Sequence, residues 1–269
     1  MQTDQRHQLQ KIKHFLFDLD GTLYLSDAPI DGAVAFIETL AKNGIDYTFV
    51  TNNSSKSADD YVVKLRRLGF PVSTDQVVTS GQVAGWYCAG KKPGAVLYVV
   101  GTESLKKEFS AFNVVVADDN VPEVDWVVVG FDTELTYGKL CEAERLLSSG
   151  ARFIGTNPDL VCPIGGGRFI PDCGSICIML ENATGRQPMF MGKPHTILFE
   201  YLRSRRSLLR ESTAVVGDRL YTDIAFGCNA RLLSICTLSG ESDSAAIKKS
   251  PCRPDVVVES VADLLSVFS

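Results

Sequence analysis

Short runs of apolar residues alternate with amphipathic segments along most of the chain, and this pattern predicts parallel strands joined by helices. A continuous apolar run fits a strand that is covered on both faces of a sheet. Near the two ends of the chain, such runs predict strands at 15–17, 47–50, 214–216 and 255–258. Apolar residues at helical spacing predict helices at 34–41, 57–68 and 261–267. Gly44 and Gly69 end the first two helices.

The same alternation restarts in the middle of the chain. It predicts strands at 96–100, 114–116, 126–129 and 153–154, with helices at 104–112 and 139–148. This is enough material for a second α/β domain. We therefore predict an α/β protein with a Rossmann-like parallel-sheet core, formed by residues 1–80 and 186–269, and a smaller inserted α/β domain at 81–185. The sequence contains no long flexible linker, so short hinges should connect the two.

Composition and charge exclude several classes of protein. The chain has 269 residues, 45% of them apolar and 22% charged, as in ordinary soluble globular proteins. A formal charge of −5 and a sequence pI near 5.3 argue against a nucleic-acid partner. No apolar run reaches the length of a membrane span, so we expect no membrane partner. Residues 1–13 lack the apolar core of a signal peptide and predict a frayed or weakly helical leader.

The cysteines predict reduced thiols and a cytoplasmic location. Eight of them are scattered through apolar segments, without a signal peptide or a Cys-x-x-Cys motif. With only three histidines, a zinc site is not expected. Cys173 and Cys177 lie four positions apart and are interpreted as packing residues.

Four polar clusters follow predicted strands or precede a predicted helix. The first is Asp18 and Asp20, followed by a glycine that allows a sharp turn. The others are Thr51-Asn52, then Lys193 before a helix that starts near His195, and Asp218 with Asp223. Each cluster, taken singly, also has a structural explanation. The first is a solvated turn and the second an ordinary loop. Lys193 is at a solvated helix entrance, and the last pair is a strand-end turn with a helix N-cap. His195 itself is interpreted as a first-turn helix residue without a catalytic role.

Together the four clusters contain the residue types that phosphoryl transfer needs, and the carboxyl ends of parallel strands would bring them to one edge of the sheet. The Asp18 carboxylate can act as a nucleophile that forms an aspartyl-phosphate. Asp20 can protonate the leaving group and then deprotonate the attacking water. Mg²⁺ held by Asp18 and Asp218, together with the Lys193 ammonium, can neutralise the charge of the phosphoryl group.

Other residues in these segments are candidates for binding phosphate. The Thr51 hydroxyl can donate a hydrogen bond to a phosphate oxygen, and groups that follow the strands add further donors. The phosphate-binding candidates in these clusters are Leu19, Thr51, Asn52, Asn53 and Lys193.

These segments resemble the four motifs of the haloacid dehalogenase-like phosphatases. The matching sequences are Asp-Leu-Asp-Gly-Thr at 18–22, Val-Thr-Asn-Asn at 50–53, Gly-Lys-Pro at 192–194, and Gly-Asp-Arg-Leu-x-Thr-Asp at 217–223. The resemblance covers essentially the whole chain after about residue 11. The chain is most similar to the NagD-like subfamily and its 4-nitrophenylphosphatase, phosphoglycolate phosphatase and pyridoxal phosphate phosphatase relatives.

The resemblance implies further roles. The insert between Thr51 and Lys193 looks like the α/β (type C2) cap of this subfamily. The Asp20 backbone carbonyl would be a further magnesium ligand, and Asp223 would act from outside the ligand sphere. The segment 156–174 looks like the part of the cap that faces the active site. Its candidates for substrate selection are Asn157, Asp159 and the glycine turn at 165–167, with a structural loop as the alternative; the Asp172-Cys173 pair indicates no single substrate.

We therefore predict a Mg²⁺-dependent phosphatase that acts on small phosphorylated metabolites, with a cap that selects the leaving group. Nucleoside monophosphates and sugar or polyol phosphates are the leading substrates, and 4-nitrophenyl phosphate is a generic one. A homodimer formed through the cap is an open option. The rivals are a phosphotransferase or phosphomutase of the same fold and a non-catalytic metabolite-binding regulator. A dehalogenase is disfavoured because it would need neither Mg²⁺ nor an acid/base at Asp20.

Overall fold

The computed structural model describes residues 3–164 and 166–268, and the chain divides into two compact units. The first unit contains the chain up to Thr51, Asp59–Val78 and the chain from Lys193 onward. The second unit contains Asn52–Ala58 and Thr79–Gly192. Among the described residues, no helix is both long and apolar enough to cross a membrane.

The strands are short, as in most α/β proteins. In chain order they are β1 (His14–Phe17), β2 (Tyr24–Leu25), β3 (Ala28–Pro29), β4 (Asp46–Thr51), β5 (Val77–Thr79), β6 (Ala95–Val100), β7 (Val114–Val116), β8 (Trp126–Val129), β9 (Arg152–Gly155), β10 (Val161–Ile164), β11 (Arg168–Pro171), β12 (Met189–Phe190), β13 (Thr213–Gly217), β14 (Leu233–Thr237) and β15 (Val256–Val258).

Helices occupy most of the connections between the strands. In chain order they are α1 (Thr3–Leu9), α2 (Ala33–Lys42), α3 (Ala58–Arg67), α4 (Ser80–Lys91), α5 (Glu103–Glu108), α6 (Tyr137–Ser148), α7 (Cys173–Thr184), α8 (Ile197–Arg205), α9 (Ala225–Ala230), α10 (Ser244–Lys249) and α11 (Leu265–Phe268). Single 3-10 turns lie at Thr74–Gln76, Phe109–Ala111, Arg210–Ser212 and Val261–Leu264, and a π turn at Leu220–Ile224 precedes α9.

The first unit is built on a six-stranded sheet with the order β15-β14-β13-β1-β4-β5. Strand β1 lies at the centre and pairs in parallel with both β13 and β4, so that Phe17 is in register with Val216 and with Phe49. All four residues of β1 are buried: the predicted apolar run 15–17 and, before it, the polar His14. The strand order reverses direction around β1, and such a switch point is where open α/β sheets bind ligands.

Aromatic side chains fill the core of the first unit. The Phe15 and Phe17 rings lie 5.7 Å apart, and both meet the edge of the Phe36 ring from α2. Phe49 on β4 extends this cluster. The packing fixes β1 and β4 side by side, and it therefore fixes the loops that follow their carboxyl ends.

The second unit has its own sheet and its own core. Its five strands follow the order β12-β9-β8-β6-β7, and the pairs β6–β7, β6–β8, β8–β9 and β9–β12 are parallel. Strands β10 and β11 form a separate antiparallel hairpin. Helices α6 and α7 pack on buried sheet residues, and Cys173 and Cys177 lie in this core as expected for packing residues. The predicted fold class, a parallel-sheet core with a second, smaller α/β unit, is confirmed.

Several elements differ from the sequence-based expectations. Strand β14 was not predicted because Ser234 interrupts its apolar run, and the structure buries this serine by bonding it to Asp255. Helix α4 was missed because it contains three glycines and lacks an amphipathic pattern. The leader forms a helix, α1, in which Leu9 is buried and Arg6 donates to the Ser266 carbonyl.

The units also divide at other positions than the predicted domain limits of 80 and 185. The segment 186–192 was expected in the first domain, but β12 pairs with β9 and joins the second unit. Residues 52–58 belong to the second unit as well. Within the predicted glycine turn, Gly165 lies outside the described residues, whereas Gly166 and Gly167 have φ of 78° and 71° between β10 and β11.

Candidate active site

The first unit brings four charged side chains together at the carboxyl ends of its central strands. Asp18 follows β1 directly, and Asp218 follows β13. Lys193 and Asp223 reach the same place from the segments before α8 and α9. We call Asp18, Lys193, Asp218 and Asp223 the acid cluster.

Lys193 links two of the carboxylates. Its Nζ atom lies 2.5 Å from Asp18 Oδ1 and 2.6 Å from Asp223 Oδ1, and it also donates to the Val50 carbonyl at 3.2 Å. The lysine is only 2% exposed. A buried ammonium is stable here because carboxylate and carbonyl oxygens accept its three hydrogens.

Backbone and hydroxyl donors hold Asp218. The Glu241 amide donates to Oδ2 at 2.8 Å, and the Thr22 hydroxyl donates to Oδ1 at 3.3 Å. Gly21 and Gly240 make room for this carboxylate, because a Cβ at either position would lie 2.4 or 2.1 Å from Oδ2. Glycine is therefore required where the backbone closely approaches the carboxylate.

Asp223 is held in a similar way. Its Oδ2 accepts the Arg219 amide at 3.1 Å and the Thr222 hydroxyl at 3.4 Å. A Cβ on residue 217 would lie 2.2 Å from the Asp223 carboxyl carbon, so Gly217 ends β13 without obstructing the side chain. The π turn at Leu220–Ile224 places the Asp223 side chain next to Gly217, the last residue of β13, which Asp218 follows.

The acid cluster contains three acidic side chains and one basic one, and this imbalance shifts their pKa values. Burial raises the pKa of the Asp18 carboxyl to about 8; Lys193 lowers it, and Asp223 and Asp218 raise it further. Burial and the neighbouring Asp223 raise the pKa of Asp218 to about 6. Burial lowers the pKa of Lys193, but Asp18 and Asp223 outweigh burial and raise it above its usual value. Among the described residues, Lys193 thus pairs with Asp18 and Asp223, while Asp218 beside them has no bond to this ammonium that would offset its burial.

This arrangement fits a divalent cation. Carboxylate oxygens of Asp18, Asp218 and Asp223 lie within 4.8 Å of one another. Hard oxygen donors suit Mg²⁺ or Ca²⁺, and a second positive partner would remove the repulsion that raises the carboxyl pKa values. Asp223 was expected outside the ligand sphere. One of its oxygens lies within this distance of those of Asp18 and Asp218, and its two oxygens also bond Lys193, the Arg219 amide and the Thr222 hydroxyl.

The remaining predicted residues of the first unit lie at or after the carboxyl ends of β1 and β4. Asp20 keeps an exposed surface; partial desolvation raises its pKa, while the charges of Lys64 and Arg219 lower it. Thr51 is the last residue of β4 and is 6% exposed. The Leu19 side chain is buried and its carbonyl accepts the Leu23 amide, so a phosphate-binding role for Leu19 rests on its backbone N–H.

The predicted residues of the second unit form a buried network of their own. Asn52 Nδ2 donates to Asp159 Oδ2 at 2.7 Å, and Asn157 Nδ2 donates to the same oxygen at 2.9 Å and to Asp172 Oδ1 at 3.2 Å. We call Asn52, Asn157, Asp159 and Asp172 the amide cluster. All four are at most 9% exposed. These side chains bond one another, which is the geometry of a structural network.

Asn53, also expected to bind phosphate, shapes the local backbone. Its Oδ1 accepts the Ser55 amide at 2.9 Å and the Ser55 hydroxyl at 2.7 Å. Such a bond from an asparagine to the backbone two residues on stabilises a turn. Asn53 therefore sets the path of the chain immediately after Asn52.

The loop at 238–241, which was not predicted from the sequence, supports the acid cluster. Its Glu241 amide donates to Asp218, and its Ser239 hydroxyl donates to the Gly21 carbonyl at 2.7 Å. The missed strand β14 explains this omission, because loops that follow parallel strands were the signal used for the other clusters. Recognising 233–237 as a strand would have added this loop.

Comparison with known proteins gives a consistent result. A family model described as haloacid dehalogenase-like hydrolase matches residues 15–115, and a second HAD-hydrolase-like model matches residues 190–264. An acid sugar phosphatase of Staphylococcus saprophyticus is 35% identical over 257 residues, which cover 96% of this chain and 98% of that protein.

Solved structures agree. The 4-nitrophenylphosphatase of Thermotoga maritima has a TM-score of 0.92 and 39% identity, and the match covers 98% of this chain and all of that one. A glycerol phosphate phosphatase of Mycobacterium tuberculosis, crystallised with calcium, has a TM-score of 0.88 and 34% identity, covering 96% of this chain and 76% of that one.

The chain belongs to the haloacid dehalogenase-like hydrolases. The resemblance found in its four motifs is thereby confirmed, including the narrower likeness to 4-nitrophenylphosphatases. The enzyme class predicted from the sequence, a phosphatase of this family, is the class of all three relatives.

Proposed function

We propose that this protein hydrolyses small phosphomonoesters through an aspartyl-phosphate formed on Asp18. The observation that carries the proposal is the acid cluster itself, in which Asp18, at the end of the central strand, is bonded to Lys193 beside two further carboxylates. The phosphatase identity of the relatives supports the same chemistry.

In the first step, the Asp18 carboxylate attacks phosphorus while the bond to the leaving oxygen breaks. Asp20 donates the proton that the leaving alcohol needs; burial raises its pKa and so favours the protonated form that acts as the acid. The Lys193 ammonium and the Thr51 hydroxyl stabilise charge on the phosphoryl oxygens.

In the second step, Asp20 removes a proton from water, which attacks phosphorus and releases the Asp18 carboxylate with inorganic phosphate. The protons balance, because the one that Asp20 gives to the leaving group is replaced by one from water. Asp20 therefore serves first as an acid and then as a base.

A divalent cation, Mg²⁺ in our proposal, would be held by the Asp18 and Asp218 carboxylates and by the Asp20 backbone carbonyl, and it would neutralise phosphoryl charge. Asp223 then has a different task. It fixes the Lys193 ammonium through the 2.6 Å ion pair, while its other oxygen is bonded to the backbone and the Thr222 hydroxyl.

We propose that the second unit is the cap that selects the leaving group. Its separate sheet and core support an independently packed cap. The relatives act on sugar, glycerol and 4-nitrophenyl phosphates by name, so sugar and polyol phosphates are our leading substrates, with nucleoside monophosphates next. The scattered cysteine thiols support a cytoplasmic location.

Phosphate release from a panel of phosphorylated metabolites tests the proposal, with 4-nitrophenyl phosphate as the generic substrate. We expect turnover with Mg²⁺ and loss of turnover in Asp18→Asn. Near-normal release of phosphate by Asp18→Asn, or transfer of the phosphoryl group to a sugar without phosphate release, would contradict it.

A further inference from the structure

The segment 52–58, which we call the connector, is held along its length by helix α5 and the residue before it. The Thr102 hydroxyl donates to the Ser55 carbonyl at 3.0 Å, and the Ser57 amide donates to Ser104 Oγ at 3.0 Å. At the end of the connector, the Ala58 amide donates to Glu108 Oε1 at 2.8 Å.

Glu108 also holds a second stretch of chain. Its other oxygen, Oε2, accepts the Thr79 hydroxyl at 2.7 Å. Thr79 is the N-cap residue of α4, where its Oγ1 accepts the Gln82 amide at 3.1 Å. Gly81 permits this approach, because a Cβ there would lie 2.8 Å from Oε2.

The position of these two partners along the chain gives the contact its significance. Ala58 is the last residue of the second unit before the chain passes into the first, and Thr79 is the first residue after it returns. A single buried carboxylate, on a residue 8% exposed, therefore ties two of the connections between the units.

Local chemistry explains why a carboxylate is stable there. Ala58 begins α3 and Thr79 caps α4, so each oxygen of Glu108 lies at the amino end of a helix of ten or more residues. Helix amino ends carry partial positive charge and donors that lack partners within the helix. One glutamate satisfies a donor at both helix ends.

We propose that Glu108 is a positioning residue for the phosphatase reaction, because it fixes the two connections about which the cap moves; the inference rests on the proposed function. Cap movements turn on a few residues in such connections. Releasing both connections leaves the catalytic side chains of the first unit unchanged. It makes the position of the cap, and so of the leaving group that the cap selects, less well defined, and such misalignment reduces kcat.

The test compares Glu108→Gln with Glu103→Gln. A glutamine at 108 keeps one oxygen that accepts the Ala58 amide, but its NH2 group cannot accept the Thr79 hydroxyl, and the side chain no longer carries the negative charge that the two helix ends stabilise. Glu103 lies on the same helix, but its side chain is 75% exposed and pairs with Lys106 at the surface, which makes it the matched control. Both proteins are assayed on 4-nitrophenyl phosphate, and hydrogen exchange is followed without substrate.

We expect kcat of Glu108→Gln to fall about 10-fold or more with KM changed less than about twofold. We expect amide exchange to accelerate about tenfold in 52–58 and 77–82 only. Thr79→Val should cause part of this loss of kcat, because it removes the bond that ties the second connection. The double variant should lose less than the sum of the two single losses, because Glu108 and Thr79 share that bond.

The proposal is overturned if Glu108→Gln matches Glu103→Gln in both measurements. It is also overturned if exchange accelerates throughout the chain, because Glu108 would then contribute only to general stability. Absence of turnover in the wild type would contradict the proposed function separately, and the exchange comparison would still decide whether Glu108 ties the connections.

Discussion

The acid cluster and the amide cluster are both buried and both contain aspartates, but they balance charge in different ways. In the amide cluster, the Asn157 amide donates to both carboxylates, and the Asn52 amide donates to Asp159 as well. In the acid cluster, one lysine pairs with two of three carboxylates, and burial with mutual repulsion raises the pKa values of Asp18 and Asp218.

This difference separates a group that holds structure from a group that performs chemistry. A network of amides and carboxylates stabilises one conformation without an added ion. A surplus of buried negative charge requires a cation and suits a site that must neutralise a phosphoryl group. The predictions below test this contrast from the largest expected effect to the smallest.

Asp18→Asn and Asp159→Asn should differ most. We expect Asp18→Asn to lower kcat on 4-nitrophenyl phosphate by about 1000-fold or more, because an amide cannot form the covalent intermediate. Asp159→Asn should keep activity within about tenfold, because Asp159 accepts hydrogen bonds from Asn52 and Asn157 within the amide cluster. Equal losses in the two variants would remove the distinction between the clusters.

Lys193→Met removes the cation of the acid cluster. We expect a loss of about 100-fold in kcat, since an ammonium that stabilises transferred charge is absent. Lys92→Met is the control, because Lys92 forms an exposed ion pair with Asp125. A loss confined to KM in Lys193→Met would show that the lysine binds substrate without favouring the transition state.

The co-location of these charged residues was largely predictable from the sequence. Continuous apolar runs identify the strands that become β1, β4 and β13, and parallel strands must end at one edge of a sheet. Asp18, Thr51 and Asp218 follow from this reasoning. Lys193 and Asp223 were also among the polar clusters, but neither ends a strand, and the role of Asp223 outside the ligand sphere came only from the family resemblance.

The role of Asn52 was not predictable in the same way. It follows Thr51 directly, yet its side chain bonds Asp159, which lies 107 positions further along the chain. Local pattern carries no information on so distant a partner. The same limitation applies to Glu108, whose bonds to Ala58 and Thr79 span 50 and 29 positions.

Asn157→Asp would convert the amide cluster into a second surplus of negative charge. We expect the free energy of unfolding to fall by about 2 to 3 kcal/mol at pH 8, because a buried donor is replaced by a third carboxylate. Denaturant unfolding measures this change, with Asn182→Asp on the exposed side of α7 as the control. An unchanged midpoint would show that the amide cluster tolerates added charge.

Asp218→Asn should have the opposite effect on stability. Removing one of three crowded carboxylates should stabilise the metal-stripped protein by about 1 to 2 kcal/mol at pH 8 while impairing catalysis. Glu211→Gln, at an exposed carboxyl, provides the comparison. Destabilisation of metal-stripped Asp218→Asn would mean that its bonds to Thr22 and Glu241 outweigh the repulsion.

The pH dependence of stability should be the smallest effect. Asp18 and Asp218 have a usual pKa of 3.8. At a pH between this value and the folded pKa, the unfolded chain has therefore lost a proton that the folded protein still holds. Stability is therefore lost as pH rises through the folded pKa values of about 6 and about 8. We expect the metal-stripped protein to lose about 1 kcal/mol between pH 6.5 and 8, and Asp18→Asn to show a flatter profile.

Restoring Mg²⁺ to the metal-stripped enzyme tests the central claim most directly, with phosphate release from 4-nitrophenyl phosphate as the signal. We predict almost no turnover in chelator, a saturable rise as Mg²⁺ is added, and a requirement for at least about tenfold more Mg²⁺ in Asp218→Asn. Full turnover in chelator, or the same Mg²⁺ requirement in wild type and Asp218→Asn, would contradict the claim that the acid cluster is a reaction centre completed by a divalent cation.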